Sequence, residues 1–153
     1  MSLWIANAER TISDVIPAPP DEVREFYVDL DNIKDLHPLV VSVQVLEHHQ
    51  TGNGYQKTYR VRDRIPLGPL SMRITYWARV DVPTHGDVIT EARQFPRVRL
   101  NGVVSFEPIA SGTRLTERLR IAAPRLLAPM TQREAVNAHT AMLAGIRSHF
   151  ENR

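Results

Sequence analysis

The sequence predicts an α+β domain in which a seven-stranded curved antiparallel sheet wraps on a long C-terminal helix, with two short helices between strands 1 and 2. Three observations carry this. Strand-like alternation fills the middle of the chain from Leu39 to Ala123. Helical periodicity is confined to a short segment near the start and a long one at the end. The turns between the strand segments are short, so successive strands pair antiparallel.

Leu3 to Ile16 reads as the first strand, closed by Pro17-Ala18-Pro19-Pro20. Asp21 and Glu22 then place acids in a helical first turn, where the backbone N–H groups are unpaired. Val23, Phe26, Tyr27 and Leu30 recur at i, i+3, i+4 and i+7, the stripe of an amphipathic helix. A second short helix is expected over Asp31 to Leu36, stopping at His37-Pro38 because a residue before proline is pushed out of the α region. Six strands follow: Leu39 to His49, Tyr55 to Ile65, Leu70 to Val82, Asp87 to Phe95, Val98 to Pro108 and Thr113 to Ala123, with a turn at Thr51-Gly52-Asn53-Gly54. The clearest sets Leu70, Met72, Ile74, Tyr76, Ala78 and Val80 on one face against Ser71, Arg73, Thr75, Trp77, Arg79 and Asp81 on the other, so one side is buried and the other wet.

Pro124 to Pro129 ends the sheet, and Thr131-Gln132-Arg133-Glu134 reads as a capping box opening the last helix. At 100° per residue, Val136, His139, Met142, Leu143, Ile146 and Phe150 share one arc, opposite Arg133, Asn137, Arg147, Ser148 and Glu151. A seven-stranded sheet twists and curls. A straight helix covers its concavity only by leaving space beneath or by filling it with large side chains. This is a helix-grip arrangement, a single domain over residues 1–153, and the gap is the candidate site.

Composition narrows the chemistry. With no cysteine, disulfides, thiolate catalysis and Cys-ligated zinc or iron–sulfur sites are excluded. The net charge of +2 is small, and the basic residues alternate with acids, as in Arg60-Val61-Arg62-Asp63-Arg64. Arg at period 2 is the signature of a solvated outer sheet face, so no nucleic-acid partner is expected. The opening residues lack a secretory signal, and no apolar run reaches the length of a membrane span, so the expectation is a cytoplasmic protein with no integral membrane segment. No Gly-rich phosphate loop or Gly-x-Ser-x-Gly elbow is present.

The element order, with three local patterns, resembles the START-like (SRPBCC) superfamily, and within it the polyketide cyclase/dehydrase and lipid-transport group. The patterns are Ile16-Pro17-Ala18-Pro19-Pro20-Asp21-Glu22-Val23 at the strand-to-helix entry, Leu36-His37-Pro38-Leu39-Val40 after the second helix, and Phe106-Glu107-Pro108 with Gly112-Thr113-Arg114-Leu115 at the last hairpin. The resemblance spans essentially the whole chain and implies a cavity for a hydrophobic ligand. Its members include carriers, hormone binders and aromatase/cyclases, so it names no single activity.

His139 lies near the middle of the helix's apolar arc and points into the pocket or the core beside it. It is a buried histidine satisfied by Tyr76 or Glu117, a ligand contact, or an acid–base catalyst. Glu117 interrupts the apolar row Leu115, Leu119, Ile121, so strand alternation turns a carboxylate inward, where a partner or a ligand is required. Tyr59 and Tyr76 offer phenols to the same interior, with Met72, Phe106, Met142, Leu143 and Ile146 as apolar lining. His37 follows the second helix, which the resemblance implies lies near one mouth of the cavity. With His139 and Glu117 it makes two histidines and a carboxylate, but no local spacing supports a metal site, so neither metal nor cofactor is expected. Glu91 and Arg93 share a strand face of ambiguous direction and are left out of the site.

The leading expectation is binding of a small hydrophobic ligand (lipid, polyketide-like or isoprenoid) between sheet and helix, without assigned catalysis. The alternatives are a polyketide cyclase or dehydratase using the same cavity, and a protein-interaction module with a filled one. Oligomeric state is not encoded in any of these patterns.

Overall fold

The computed structural model describes residues 4–153, so the reading of Leu3 as a strand residue lies outside the described residues. The chain runs β1 (Ile5–Ile16), α1 (Pro20–Tyr27), α2 (Leu30–Ile33), β2 (Val40–Thr51), β3 (Gly54–Leu67), β4 (Leu70–Pro83), β5 (Val88–Gln94), β6 (Val98–Ile109), β7 (Gly112–Pro124) and α3 (Ala128–Glu151). All pairs are antiparallel in the order β1-β7-β6-β5-β4-β3-β2, so β1 and β2, joined through α1 and α2, form opposite edges. No described helix is long and apolar enough to cross a membrane.

Local chemistry explains the boundaries. Pro20 occupies the first turn of α1, where its missing N–H costs nothing, and Asp21 and Glu22 follow it. Asp29 caps α2 by accepting the Asp31 N–H at 3.0 Å. The second helix is shorter than expected, ending at Ile33 in a turn that carries the chain to His37-Pro38.

The final helix corrects the capping-box reading. It starts at Ala128, and the Thr131 N–H already donates to the Leu127 carbonyl at 2.9 Å, so Thr131–Glu134 lies within the helix. Pro129 does not block this start, because first-turn N–H groups have no intrahelical acceptor anyway.

The buried face of the sheet follows strand parity: Tyr59, Val61 and Asp63 on β3, Val80 and Val82 on β4, Val88 on β5, Val104 on β6, and Thr113 to Ala123 at every second position on β7. Leu70 and Met72 keep the parity expected of them but are exposed, at 73% and 39%, because they sit at the end of the β3–β4 hairpin while α3 lies chiefly over β1 and β7.

The packing of α3 positions the site. The helix lies chiefly over β1 and β7, at one edge of the sheet. Arg147 clamps it there, donating to both carboxylate oxygens of Asp14 on β1 at 2.7 and 2.9 Å. Its C-terminal turn is held by α1: Phe26 stacks on His149 at 4.3 Å and meets Phe150 edge-on at 5.4 Å. The concave surface of β3 to β6 beside the N-terminal half of α3 is therefore left without a helix on it.

Gly112, at the turn into β7, has φ +140°, and a Cβ there would sit 2.2 Å from the Ile16 carbonyl oxygen. Gly112→Ala is expected to destabilise by about 1–3 kcal/mol, because neither the conformation nor the neighbouring backbone can yield cheaply. Urea denaturation checks this, and an unchanged midpoint would contradict it.

Candidate functional site

The inward row of β7 carries Glu117 between Leu115 and Leu119, only 1% exposed. A carboxylate this deep requires donors, and two elements supply them. Tyr27, at the end of α1, donates its hydroxyl to Oε2. His139, in the middle of α3, donates Nδ1–H to Oε1 at 2.9 Å. A carboxylate only accepts, so this partner fixes the imidazole tautomer and leaves Nε2 as the nitrogen free of Glu117.

The His139 ring then meets the His37 ring edge-on, with centroids 5.3 Å apart. His37 is held by its own loop, accepting the Leu39 N–H on Nδ1 at 3.3 Å. The two imidazoles differ electrically. Burial, and then the neighbouring charge on His139, push His37 down from the ordinary 6.5 to about 3, so it is neutral at physiological pH. Burial also works against protonation of His139, but the charge and hydrogen bond of Glu117 overcome it and raise its pKa above the ordinary value.

Opposite them, Asp63 on β3 is 6% exposed. Its Oδ1 is buried without a hydrogen-bond partner, and the Tyr76 hydroxyl lies beside the carboxyl. Burial raises the Asp63 pKa from 3.8 to about 6, against the opposing influences of Tyr76 and His139. The same burial, reinforced by Asp63, holds the Tyr76 phenol well above its usual range.

Two cavities meet at this cluster. The outer one, about 550 Å3, lies between β3–β6 and the N-terminal half of α3, and Asp63, Met72 and Met130 are among its walls. The inner one, about 110 Å3, runs beneath α2 and is bounded by Leu30, Val61, Val80 and Met142. His37, Tyr76, Ala92, Leu100 and His139 border both.

Of the residues expected at the site, His37, His139 and Tyr76 converge, Met72 lies on the outer wall, Met142 on the inner, and Glu117 stands behind His139. Four others border neither cavity. Tyr59 is buried near Leu30, its hydroxyl unpaired and its pKa pushed by burial to about 12. Phe106 packs edge-on against Tyr27 at 5.7 Å. Leu143 and Ile146 are buried in the core. The reason is common to all four: α1, α2 and the C-terminal half of α3 already fill that end of the concavity. Glu91, left out of the site, borders the inner cavity and pairs with Arg93 at 2.8 Å.

Asp63 was missed. It shares parity with Tyr59 and Val61 on β3, which would have turned it inward, but the alternating arginines around it read as a solvated face. Arg60, Arg62 and Arg64 are indeed exposed. Among the described residues, no group of three or more His, Cys, Asp or Glu is placed to hold a metal ion.

The family model described as polyketide cyclase/dehydrase and lipid transport matches residues 7–151. The chain belongs to this family. No curated protein sequence matches it. Among solved structures, the family member is similar to the Zhui aromatase/cyclase from Streptomyces sp. R1128, with 19% identity over 97% of this chain and 95% of that one, TM-score 0.68. It is also similar to the di-domain aromatase/cyclase BexL of the BE-7585A biosynthetic pathway (18% identity, TM-score 0.73), covering 96% of this chain but 51% of that one, so it spans about half of the di-domain protein. Ara h 8.0201 shares the fold at 12% identity, covering 97% of this chain and 100% of that one, TM-score 0.71. At these identities the likeness establishes the fold alone: a curved seven-stranded sheet gripping a long helix.

Proposed function

We propose that this family member binds a small hydrophobic molecule in the outer cavity, its apolar body against Ala92, Leu100, Ile121 and Met130 and its polar end at the His37–Asp63–Tyr76–His139 cluster. The observation that carries this reading is a concavity of about 550 Å3 with mostly apolar walls and a few polar groups gathered at one place. Ligand sites commonly run about 300–1,000 Å3 with that distribution of polarity.

Ala92 borders both cavities from the inward row of β5, so Ala92→Phe fills the junction while every polar side chain of the cluster is kept. Native mass spectrometry of the protein purified from its own host is expected to reveal a co-purified apolar molecule that Ala92→Phe loses. A wild type that is always bare, and that takes up no added naphthalene, would end this reading.

A second reading, acid–base chemistry on the bound molecule, is favoured by one observation. Buried Glu117 fixes the His139 tautomer and raises its basicity, leaving Nε2 as the atom able to take a proton. Glu117 is then a positioning residue. In D2O with an aryl β-keto ester, this reading expects accelerated exchange of the proton between the carbonyls, abolished by His139→Gln. Exchange at the buffer rate would discard it and leave simple binding.

A further inference from the structure

The Asp63 carboxyl has the Tyr76 hydroxyl beside it, but that neighbour leaves one of its oxygens unanswered. Asp63 is nine-tenths buried, its Oδ1 has no hydrogen-bond partner, and it lines the outer cavity. An unpaired buried acceptor is costly, and in native proteins nearly all such groups are satisfied. The missing donor therefore belongs to whatever enters the cavity.

The charge around Asp63 says what that donor is. Strand parity turns every arginine of β3 to β6 away from the concave face: Arg60, Arg62, Arg64, Arg73, Arg79, Arg93 and Arg99 are exposed, while Asp63, Tyr76 and Gln94 share the cavity side. Arg73, exposed and outward by parity, is among the described residues the one arginine in the cavity's walls, and α3 brings Glu134, a second acid. The His139 imidazole is paired with Glu117 at 2.9 Å, and His37 accepts a hydrogen bond from its own loop. An entering carboxylate would meet Asp63 and Glu134 at the walls, would find the His139 imidazole already paired with Glu117, and would lose its hydration. An ammonium would have to be stripped of its water on entering a mostly apolar cavity, a cost that a neutral group does not carry. A neutral hydroxyl gives Asp63 its donor at no such cost.

We propose that the outer cavity selects neutral hydroxylated apolar molecules, phenols or enols, whose O–H donates to Asp63 Oδ1, and that Asp63 excludes apolar carboxylates such as fatty and aromatic acids. This rests on the binding reading above, and it adds the chemical class of the ligand and the residue that chooses it.

Four probes of one size separate the two claims: naphthalene, 2-naphthol, 2-naphthoate and 2-naphthylmethylamine, titrated calorimetrically at about pH 7.5, where phenol and carboxylic acid differ in charge. The expected order places 2-naphthol roughly tenfold tighter than naphthalene, the worth of one hydrogen bond to a charged acceptor, with 2-naphthoate weaker than naphthalene. Asp63→Leu should bring 2-naphthol level with naphthalene, and Asp63→Asn should relieve the penalty on 2-naphthoate. Loss of a merely structural residue would weaken all four together and leave their order unchanged. Wild-type protein that binds 2-naphthoate as well as 2-naphthol, or the amine most tightly, overturns the selectivity while sparing the cavity. Failure to bind even naphthalene overturns both. The wild-type series decides the matter even where a variant does not fold.

Discussion

Glu117→Ala is expected to lower the unfolding free energy by about 3–5 kcal/mol, seen as a fall in the urea midpoint with the slope unchanged. The loss has three sources. The Tyr27 hydroxyl and the His139 N–H lose their acceptor in the interior. His139 loses the carboxylate that favours its protonation. A cavity replaces a side chain that was only 1% exposed. Glu117→Gln should cost less, about 1–2 kcal/mol, because the amide oxygen still accepts from Tyr27 while its NH2 can donate to the alternative His139 tautomer. It should also lower the His139 pKa, which imidazole NMR reads directly. Replacing all three together, as Tyr27→Phe, Glu117→Leu and His139→Leu, should recover most of the stability, since what is expensive is the unpaired remnant. A Glu117→Ala midpoint equal to wild type would mean that the three groups do not depend on one another.

The second large effect is in the pH profile. His37 has its folded pKa depressed from 6.5 to about 3, so the unfolded chain binds its proton first and stability is lost as pH falls through that window. Asp63 acts oppositely. Its pKa is raised from 3.8 to about 6, so it adds stability below that interval and loses it as pH rises through it. Between roughly pH 4 and 6 the two nearly cancel. His139, with a raised pKa, contributes stability that is whole below the ordinary 6.5 and declines as pH climbs through its folded value. His37→Leu removes only the first of these. Relative to wild type it should gain roughly 2–3 kcal/mol as pH drops from about 6.5 to 4. Denaturant titrations across that range check it, and parallel curves for the two proteins would show that His37 is not held neutral by its surroundings.

Much of this architecture was legible because period 2 and period 3.6 separate cleanly along the chain. The inward direction of Glu117 followed from Leu115, Leu119 and Ile121, and that of His139 from its place on the α3 arc. Their pairing was one of the alternatives the sequence left open, because it depends on which turn of α3 lies over β7. What the sequence could not reveal is how the concavity is shared. Tyr59, Phe106, Leu143 and Ile146 have the same inward parity or arc as the cavity residues, and only the clamp of Arg147 on Asp14 and the seat of α1 place them in the filled half. The start of α3 was misplaced because Pro129 reads as a breaker when it occupies a first turn. Asp63 was hidden by its arginine neighbours, although strand parity alone turned it inward.

The central claim is that the outer cavity receives a small apolar molecule with its polar end at the His37–Asp63–Tyr76–His139 cluster. It is tested most directly by NMR of the side chains during titration with 2-naphthol. Shifts are predicted at the methyl groups of Ala92, Leu100, Ile121 and Met130 and at the His139 imidazole, with the remote core methyls of Leu143 and Ile146 little changed. Shifts confined to the exposed face of the sheet, or absent at saturating 2-naphthol, would contradict it.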